Sequence, residues 1–457
     1  MKQKTEKGML SVILALAWPT MLEQLMQTAV QYVDTAMVGS LGTQAMAAVG
    51  ATTTVNWLIG STISAIGIGF LAYISQAIGA GEEERAKKAS AQAVFVTLTV
   101  GILFTIITVL LSNRIPVWMR ADLHIREQAS RYFRILYLPL LFRTAVIIFG
   151  TVLRAAGDTR TPMQVGILVN LLNILLNFFL IYQTRYVFLG KMRILIPGAG
   201  LGVTGAALAS AVSFVFGGIV ITCRLWRHRK ISPGGQKLKP DLKILKPCFR
   251  VAVPNMLQRF ATSLGYVFFA SMINSLGETA AAAHTIANTV ESAFYIPGYG
   301  MQTAAATLSG NAWGARDEKK LRGLARTLLP LEVGLMIVSG GLLFLFAPQL
   351  MRLFSKDPEV IRLGMTVLRM VAVSEPFYGV PIVMEGMMQG VGKTVAPFVF
   401  NVSGMWAVRI TGTFICTQIL GYGLVSAWGC MIGHNILLFV MFTIYFLTGW
   451  RKATKLD

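Results

Sequence analysis

The chain has 457 residues, of which 54% are hydrophobic and only 13% charged, and its formal net charge is +21. So little charge cannot clothe a soluble domain of this length. The excess of Lys and Arg suggests nucleic acid at first, but the basic residues gather at the ends of apolar runs, where cytoplasmic loops retain them, so no nucleic-acid partner is expected.

The apolar runs are long: 98–111 and 198–223 hold no charge at all. A hydrocarbon core of about 30 Å needs roughly 20 apolar residues per helix. Without water the backbone must bond to itself, so these runs must be helices. Taken in chain order, twelve spans are predicted at 10–38, 44–78, 91–111, 132–153, 161–183, 199–223, 250–274, 280–311, 327–350, 366–388, 396–420 and 424–449. The second and eighth are long enough to tilt, bend or break; Gly60, Gly67 and Gly69 punctuate one, and Pro297, Gly298 and Gly300 the other. The first apolar stretch follows Lys2, Lys4 and Lys7 and runs into a full span with no small-residue cleavage site, so no secretory signal is expected. An even number of spans puts both termini on one side. That side holds 26 Lys and Arg against about 12 on the other, which places both termini in the cytoplasm. The basic stretch 224–249 is expected to be a cytoplasmic linker between 1–223 and 250–457. Cys223, Cys248, Cys416 and Cys430 have no metal-ligand spacing and are expected to be buried, unpaired thiols.

Shifted by 235 residues, the sequence matches itself. Pro19 meets Pro254, Ser40-Leu41-Gly42 meets Ser275-Leu276-Gly277, and Gly79-Ala80 meets Gly314-Ala315. Asp122 meets Asp357, Arg134 meets Arg369, and Gly157, Thr159 and Pro162 meet Gly392, Thr394 and Pro397. Chance does not keep punctuation residues in one register over so long a range. The chain is a duplicated six-span unit, and six spans give both copies the same orientation. Repeats of this kind rock about a cleft near the midplane, which points to a transporter.

The residues that carry the repeat resemble the multidrug and toxic compound extrusion (MATE) family. The marks are Pro19 with Val33-Asp34-Thr35-Ala36-Met37-Val38-Gly39, the loop Gln76-Ala77-Ile78-Gly79-Ala80-Gly81 with its twin Asn311-Ala312-Trp313-Gly314-Ala315, and the turn Leu153-Arg154-Ala155-Ala156-Gly157-Asp158-Thr159-Arg160-Thr161-Pro162. The resemblance implies an all-α integral membrane protein of twelve transmembrane helices in two pseudo-symmetric six-helix lobes, V-shaped around a central cavity. It also implies export of amphipathic, often cationic compounds in exchange for Na⁺ or H⁺. A flippase for a lipid-linked precursor, from the same superfamily, is the alternative. No enzyme motif, Walker A sequence or His/Cys ligand cluster occurs, so neither an enzymatic activity nor a cofactor beyond the coupling ion is expected.

A charge at the bilayer centre costs about 3 kcal/mol, so each one needs an explanation. Asp34 lies deep in the first span. It is a candidate proton or cation carrier, or a hydrogen-bonded carboxylate that holds helices together. In the family the aspartate of this motif matters for transport. Asn173 and Asn177 share a helix face, with Asn170 on the same face. The family's N-lobe site has Asn and Asp at this spacing, so Asn177 is a departure that removes one carboxylate. Thr204 or Ser210 is expected to add a hydroxyl. Glu23, Gln27, Gln31 and Asp34 form a polar stripe beside Tyr32, with Glu23 either on the cavity or solvated at the interface.

In the second half, one branch of the family uses a glutamate in span seven and an aspartate in span ten, and counting puts Thr262 and Tyr378 there. Other carboxylates lie nearby: Glu291, Glu375 and Glu385. Arg259 and Arg409 are their expected counter-charges, and Arg143 is expected to pair with a carboxylate or to snorkel. Tyr266, Tyr299, Trp57, Phe70 and Met301 are among the candidates for a cavity wall suited to varied cationic substrates. The expected partners are small organic substrates and membrane lipids, around a monomer in the bacterial inner membrane.

Overall fold

The computed structural model describes residues 2–119, 121–189 and 192–453. The end of the basic C-terminal tail, including Lys455, lies outside them. The first half runs α1 (Lys2–Gly39), α2 (Thr43–Gly79), α3 (Glu83–Leu111), the single turn α4 (Ile115–Trp118), α5 (Leu123–Tyr137), α6 (Leu140–Ala155) and α7 (Arg160–Leu180). A hairpin, β1 (Gln183–Leu189) and β2 (Met192–Ala199), then leads to α8 (Gly202–Trp226). The second half runs α9 (Leu242–Asn274), α10 (Glu278–Phe294), α11 (Ile296–Gly314), α12 (Glu318–Phe354) and α13 (Pro358–Val391). It ends with α14 (Val395–Ser403), π-helical Gly404–Ile410, α15 (Thr411–Phe414), π-helical Ile415–Ile419 and α16 (Leu424–Ala453).

Nine helices among the described residues are long and apolar enough to cross a membrane, and α5 with α6 makes a tenth. That pair bends by 50°. Pro139 stands in the break, where it offers no N–H to continue the helix. The two remaining predicted spans correspond to α9 and to α10 with α11. α9 carries Lys243, Lys246, Arg250 and Arg259. The other span breaks at Tyr295, because Pro297 opens α11 within its first turn. The predicted span 44–78 does not break despite its glycines: α2 is one helix of 37 residues. The segment expected as a loop from Gln76 is helical to Gly79 and turns only at Ala80 and Gly81. The hairpin was not anticipated; its strands pair antiparallel from Gln183↔Ala199 to Leu189↔Met192.

The repeat has a local physical basis. Asp122 and Asp357 are helix N-caps whose carboxylates accept from His124 N at 3.1 Å and Glu359 N at 2.8 Å. Gly157 and Gly392 close α6 and α13 at φ +83° and +84°, a conformation that favours glycine.

The chain forms two compact units. One comprises residues 1–21, 71–82 and 246–457, and the other 22–70 and 83–245. In the first, a Cβ on Gly79 would stand 2.0 Å from Asn311 O, and one on Gly314 would stand 1.9 Å from Gln76 O. These twin glycines each receive the backbone of the other's helix, so the paired motifs make a close helix crossing. The core there joins Ile13 and Ala17 to Met301, Leu308, Leu328, Met387 and Phe442. In the second unit α8 packs on α5, α6 and α7. Gly205, Gly217 and Gly218 of α8 stand where a Cβ would meet Leu180 O, Val169 or Phe142.

The cysteines form no disulfide among the described residues, but Cys223 is exposed, Cys416 and Cys430 are half-buried, and only Cys248 is sealed in. Cys223 faces outward from an apolar helix, where a small hydrophobe needs no covering.

Candidate cation-coupling site

In the second unit α1, α2, α5, α7 and α8 enclose a pocket of about 270 Å³. Asp34 lines it with Thr35, Thr53, Tyr132, Asn177 and Ser210. Asn177 Nδ2 donates to Asp34 Oδ1 at 2.6 Å. Asn173, one turn earlier on α7, is buried beside them and bonds Ser210 Oγ at 3.0 Å. With the Asn173 amide turned over, its Nδ2 donates to Asp34 Oδ1 at 2.9 Å while its oxygen accepts from Ser210. Two amide donors thus converge on one carboxylate. Asn177 Oδ1 is buried and has no partner.

The structure therefore gathers Asp34, Asn173, Asn177 and Ser210, but not Thr204. Ser210 and Ala206 line the pocket one turn apart, and Thr204 lies two residues before Ala206, about 200° around the helix from that face. Asn170 is not hydrogen-bonded into the group. Tyr32, two residues before Asp34, is 43% exposed on another face of α1. Gln27 and Gln31 are exposed. Glu23 is engaged by a basic partner: its Oε2 pairs with Arg154 Nη2 at 2.5 Å, with side chains 20% and 18% exposed. Arg154 comes from the turn motif after the fourth span, so the ion pair ties that turn to α1. Tyr132 and Thr53, which sequence reasoning missed, carry no motif signal; only the bend before α6 and the packing of α2 bring them in.

Among the described residues Arg143 pairs with no carboxylate. Its Nη1 donates to Asn56 Oδ1 at 2.5 Å, Tyr137 donates to the same oxygen at 2.8 Å, and Phe214 lies beneath the guanidinium at 5.2 Å.

In the first unit the expected Arg–Glu locks are absent. Among the described residues neither Arg259 nor Arg409 has a carboxylate within 4.0 Å; ion pairs in this unit form instead at Arg322–Glu318 and Arg362–Glu359. Arg409 is buried in the π-helical stretch, with its guanidinium over Phe269 at 4.3 Å and Tyr266 at 4.8 Å. Aromatic faces supply the negative potential that a glutamate was expected to supply. π-Helical turns recur where function requires an irregular helix.

Glu385 accepts from Gln258 and Gln389 at 3.0 Å and from Asn401 at 3.1 Å. Glu291 accepts from the Tyr295 hydroxyl, and the Tyr295 ring stacks on Tyr378 with centroids 4.5 Å apart. Tyr299 follows one turn later on α11. Glu375 is buried with both oxygens unpartnered, and so is Glu332, which the sequence reading passed over. A Cβ on Gly379 or Gly298 would fall 2.7 or 3.1 Å from Glu332 Oε1, so small residues make its berth. The rule that flags intramembrane carboxylates applies equally to Glu332. Among the expected wall residues, Phe70 and Met301 are core residues, while Trp57 and Tyr266 are about half exposed.

A duplicated bundle of apolar helices with a lone carboxylate beside a small polar pocket is the architecture of a membrane transporter. The chain belongs to the MatE family, whose family model matches residues 19–179 and again 254–415, in the register of the internal repeat. It is 28% identical over 445 residues to the probable multidrug resistance protein NorM of Thermotoga maritima, covering 97% of this chain and 94% of that one. It is 26% identical to the probable multidrug resistance protein YoeA of Bacillus subtilis, covering 95% and 92%. In fold it resembles an outward-facing multidrug resistance MATE family transporter of the MOP superfamily, with TM-score 0.88 and 24% identity over 97% of this chain and 95% of the other.

Proposed function

We propose that this protein is a secondary antiporter that exports amphipathic, mainly cationic organic compounds from the bacterial cytoplasm by alternating access, driven by protons taken up at Asp34. The observation that carries the reading is the single carboxylate on the small pocket of α1, α2, α5, α7 and α8, held by amide donors from Asn177 and Asn173. A carboxylate that exchanges a proton gains or loses one unit of charge at fixed geometry, which is a minimal way to bias two conformations. Names of related proteins support the substrate class: several are probable multidrug resistance proteins. In this reading the chain works as a monomer in the inner membrane, with both termini and the 224–249 segment in the cytoplasm, and transport rather than bond chemistry is its activity.

One observation favours Na⁺ instead. Asn177 Oδ1 is a buried oxygen without a partner beside Asp34, the kind of ligand that Na⁺ accepts. Against Na⁺, the site has one carboxylate only. The flippase reading needs a strongly cationic cavity for a pyrophosphate, yet Arg143 is engaged by Asn56, and Arg409 lies buried against aromatic rings.

The test is efflux of a fluorescent organic cation from proteoliposomes under separately imposed pH and Na⁺ gradients. Efflux driven by the pH gradient alone supports proton coupling. Efflux driven only by Na⁺ moves the assignment to the Asn177 oxygen, and failure of both removes drug export as the activity.

A further inference from the structure

The two copies of the repeat treat one arginine differently. Arg134 on α5 is satisfied within its own half: Nη2 donates to Asn113 Oδ1 at 2.9 Å and Nε to Ser112 Oγ at 3.3 Å. Its twin, Arg369 on α13, has lost both partners, because the positions equivalent to Ser112 and Asn113 are Ala347 and Pro348. Among the described residues Arg369 has no ion pair, and its Nε is buried without a hydrogen bond. Its guanidinium instead lies over the ring of Phe344 on α12, 5.2 Å from the centroid.

Phe344 is also a wall of an open apolar groove of about 400 Å³ between α12 and α13. Ile337, Gly341 and Leu345 line one side, and Ala372 and Val373, one turn beyond Arg369, line the other. Val373 and Leu345 are 68% and 66% exposed, as lipid-facing residues are. Arg369 lies eleven residues into α13, about 16 Å from its start at 1.5 Å per residue. Its side chain leans back toward that start, where Lys356, Asp357 and Arg362 mark the edge of the apolar zone. A guanidinium with a buried, unpartnered Nε thus stands beside the apolar groove that Phe344 helps to wall.

We propose that this groove binds one anionic phospholipid, with the phosphate on the Arg369 guanidinium and an acyl chain lying along Gly341 between α12 and α13. Charge complementarity selects the occupant: a zwitterionic lipid brings a cationic headgroup beside its phosphate, which repels the guanidinium, whereas an anionic lipid offers its fork of N–H groups a phosphate with no offsetting charge. The groove lies on the exposed side of two neighbouring helices and shares no residue with the Asp34 pocket, so the bound lipid is a structural or regulatory ligand and not the exported compound.

The purified protein, exchanged into mixed micelles of phosphatidylglycerol or phosphatidylcholine, reports the bound lipid by native mass spectrometry. Wild type is expected to retain phosphatidylglycerol over phosphatidylcholine by about fivefold, the worth of roughly 1 kcal/mol for one basic residue near anionic lipid. Arg369→Gln is expected to abolish the preference. Gly341→Leu, whose added Cβ meets no atom within 4 Å, is expected to fill the groove and lower retention of both lipids without unfolding the protein. Equal retention of the two lipids by wild type overturns the proposal, as does an undiminished preference in Arg369→Gln. A Gly341→Leu variant that shifts the monomer–dimer balance while lipid occupancy stays constant assigns the groove to a second copy of the chain, and also overturns it.

Discussion

Replacing Asp34 with Asn removes the ionisable group while keeping its shape. The 2.6 Å bond from Asn177 Nδ2 becomes a neutral amide–amide bond. A charge-assisted hydrogen bond exceeds a neutral one by about 1 kcal/mol, so the fold should survive with a thermal midpoint lowered by only about 2 °C. Coupling behaves differently. Each proton exchanged across one pH unit supplies about 1.4 kcal/mol, enough for about a tenfold substrate gradient. Wild-type proteoliposomes should therefore build an approximately tenfold gradient per proton and pH unit, and Asp34→Asn none, although substrate can still equilibrate downhill. The assay is the steady-state distribution of a fluorescent cation under a clamped pH gradient, read beside a thermal melt. A variant that melts normally and still builds a gradient would show that Asp34 carries no coupling proton.

Three further outcomes are expected. Asn177→Asp places a second carboxylate beside Asp34 and should introduce or strengthen Na⁺ stimulation of efflux, visible as a Na⁺-dependent rate at fixed pH. Glu23→Gln takes the carboxylate from the partly buried Arg154 guanidinium and should cost about 1–3 kcal/mol; a double-mutant cycle with Arg154→Gln in thermal melts should return a coupling energy above about 0.5 kcal/mol. Gly79→Ala drives a methyl group to 2.0 Å from Asn311 O and must separate the two helices, costing about 1–3 kcal/mol. Its signature is a lowered melt and reduced membrane yield, whereas Gly81→Ala, with nothing within 4 Å but a φ of +75°, should cost less.

Much of the molecule was legible because a membrane imposes one-dimensional rules. Apolar runs of about twenty residues mark spans, and a duplication shows as matching punctuation. The Asp122/Asp357 caps and the Gly157/Gly392 turns sit in the repeat's register because helix ends obey local chemistry. The shared face of Asn173 and Asn177 followed from helical spacing alone. Breaks were less legible: the sequence foresaw punctuation in α2, yet its glycines did not interrupt the helix, while breaks fall at Pro139 and just before Pro297, although Pro254 and Pro376 sit inside unbroken helices.

Partners of the buried charges could not be read at all. Electrostatics in a low dielectric depends on distances of a few ångströms between helices far apart in sequence. Glu23 meets Arg154 across 131 residues, Arg143 settles on an amide rather than a carboxylate, and Arg409 on two aromatic faces. Likewise the sequence could rank Asp34 as a site but not supply Tyr132, exclude Thr204 or reveal the unpartnered oxygen of Asn177. By itself the sequence determined the membrane class, the duplication and the family, and nominated Asp34 for coupling, because each rests on local pattern. Which helix faces meet, which charges are satisfied and which are left open, as at Arg369, was decided only by tertiary packing, since rotations about helix axes leave no trace in a linear pattern of apolar residues.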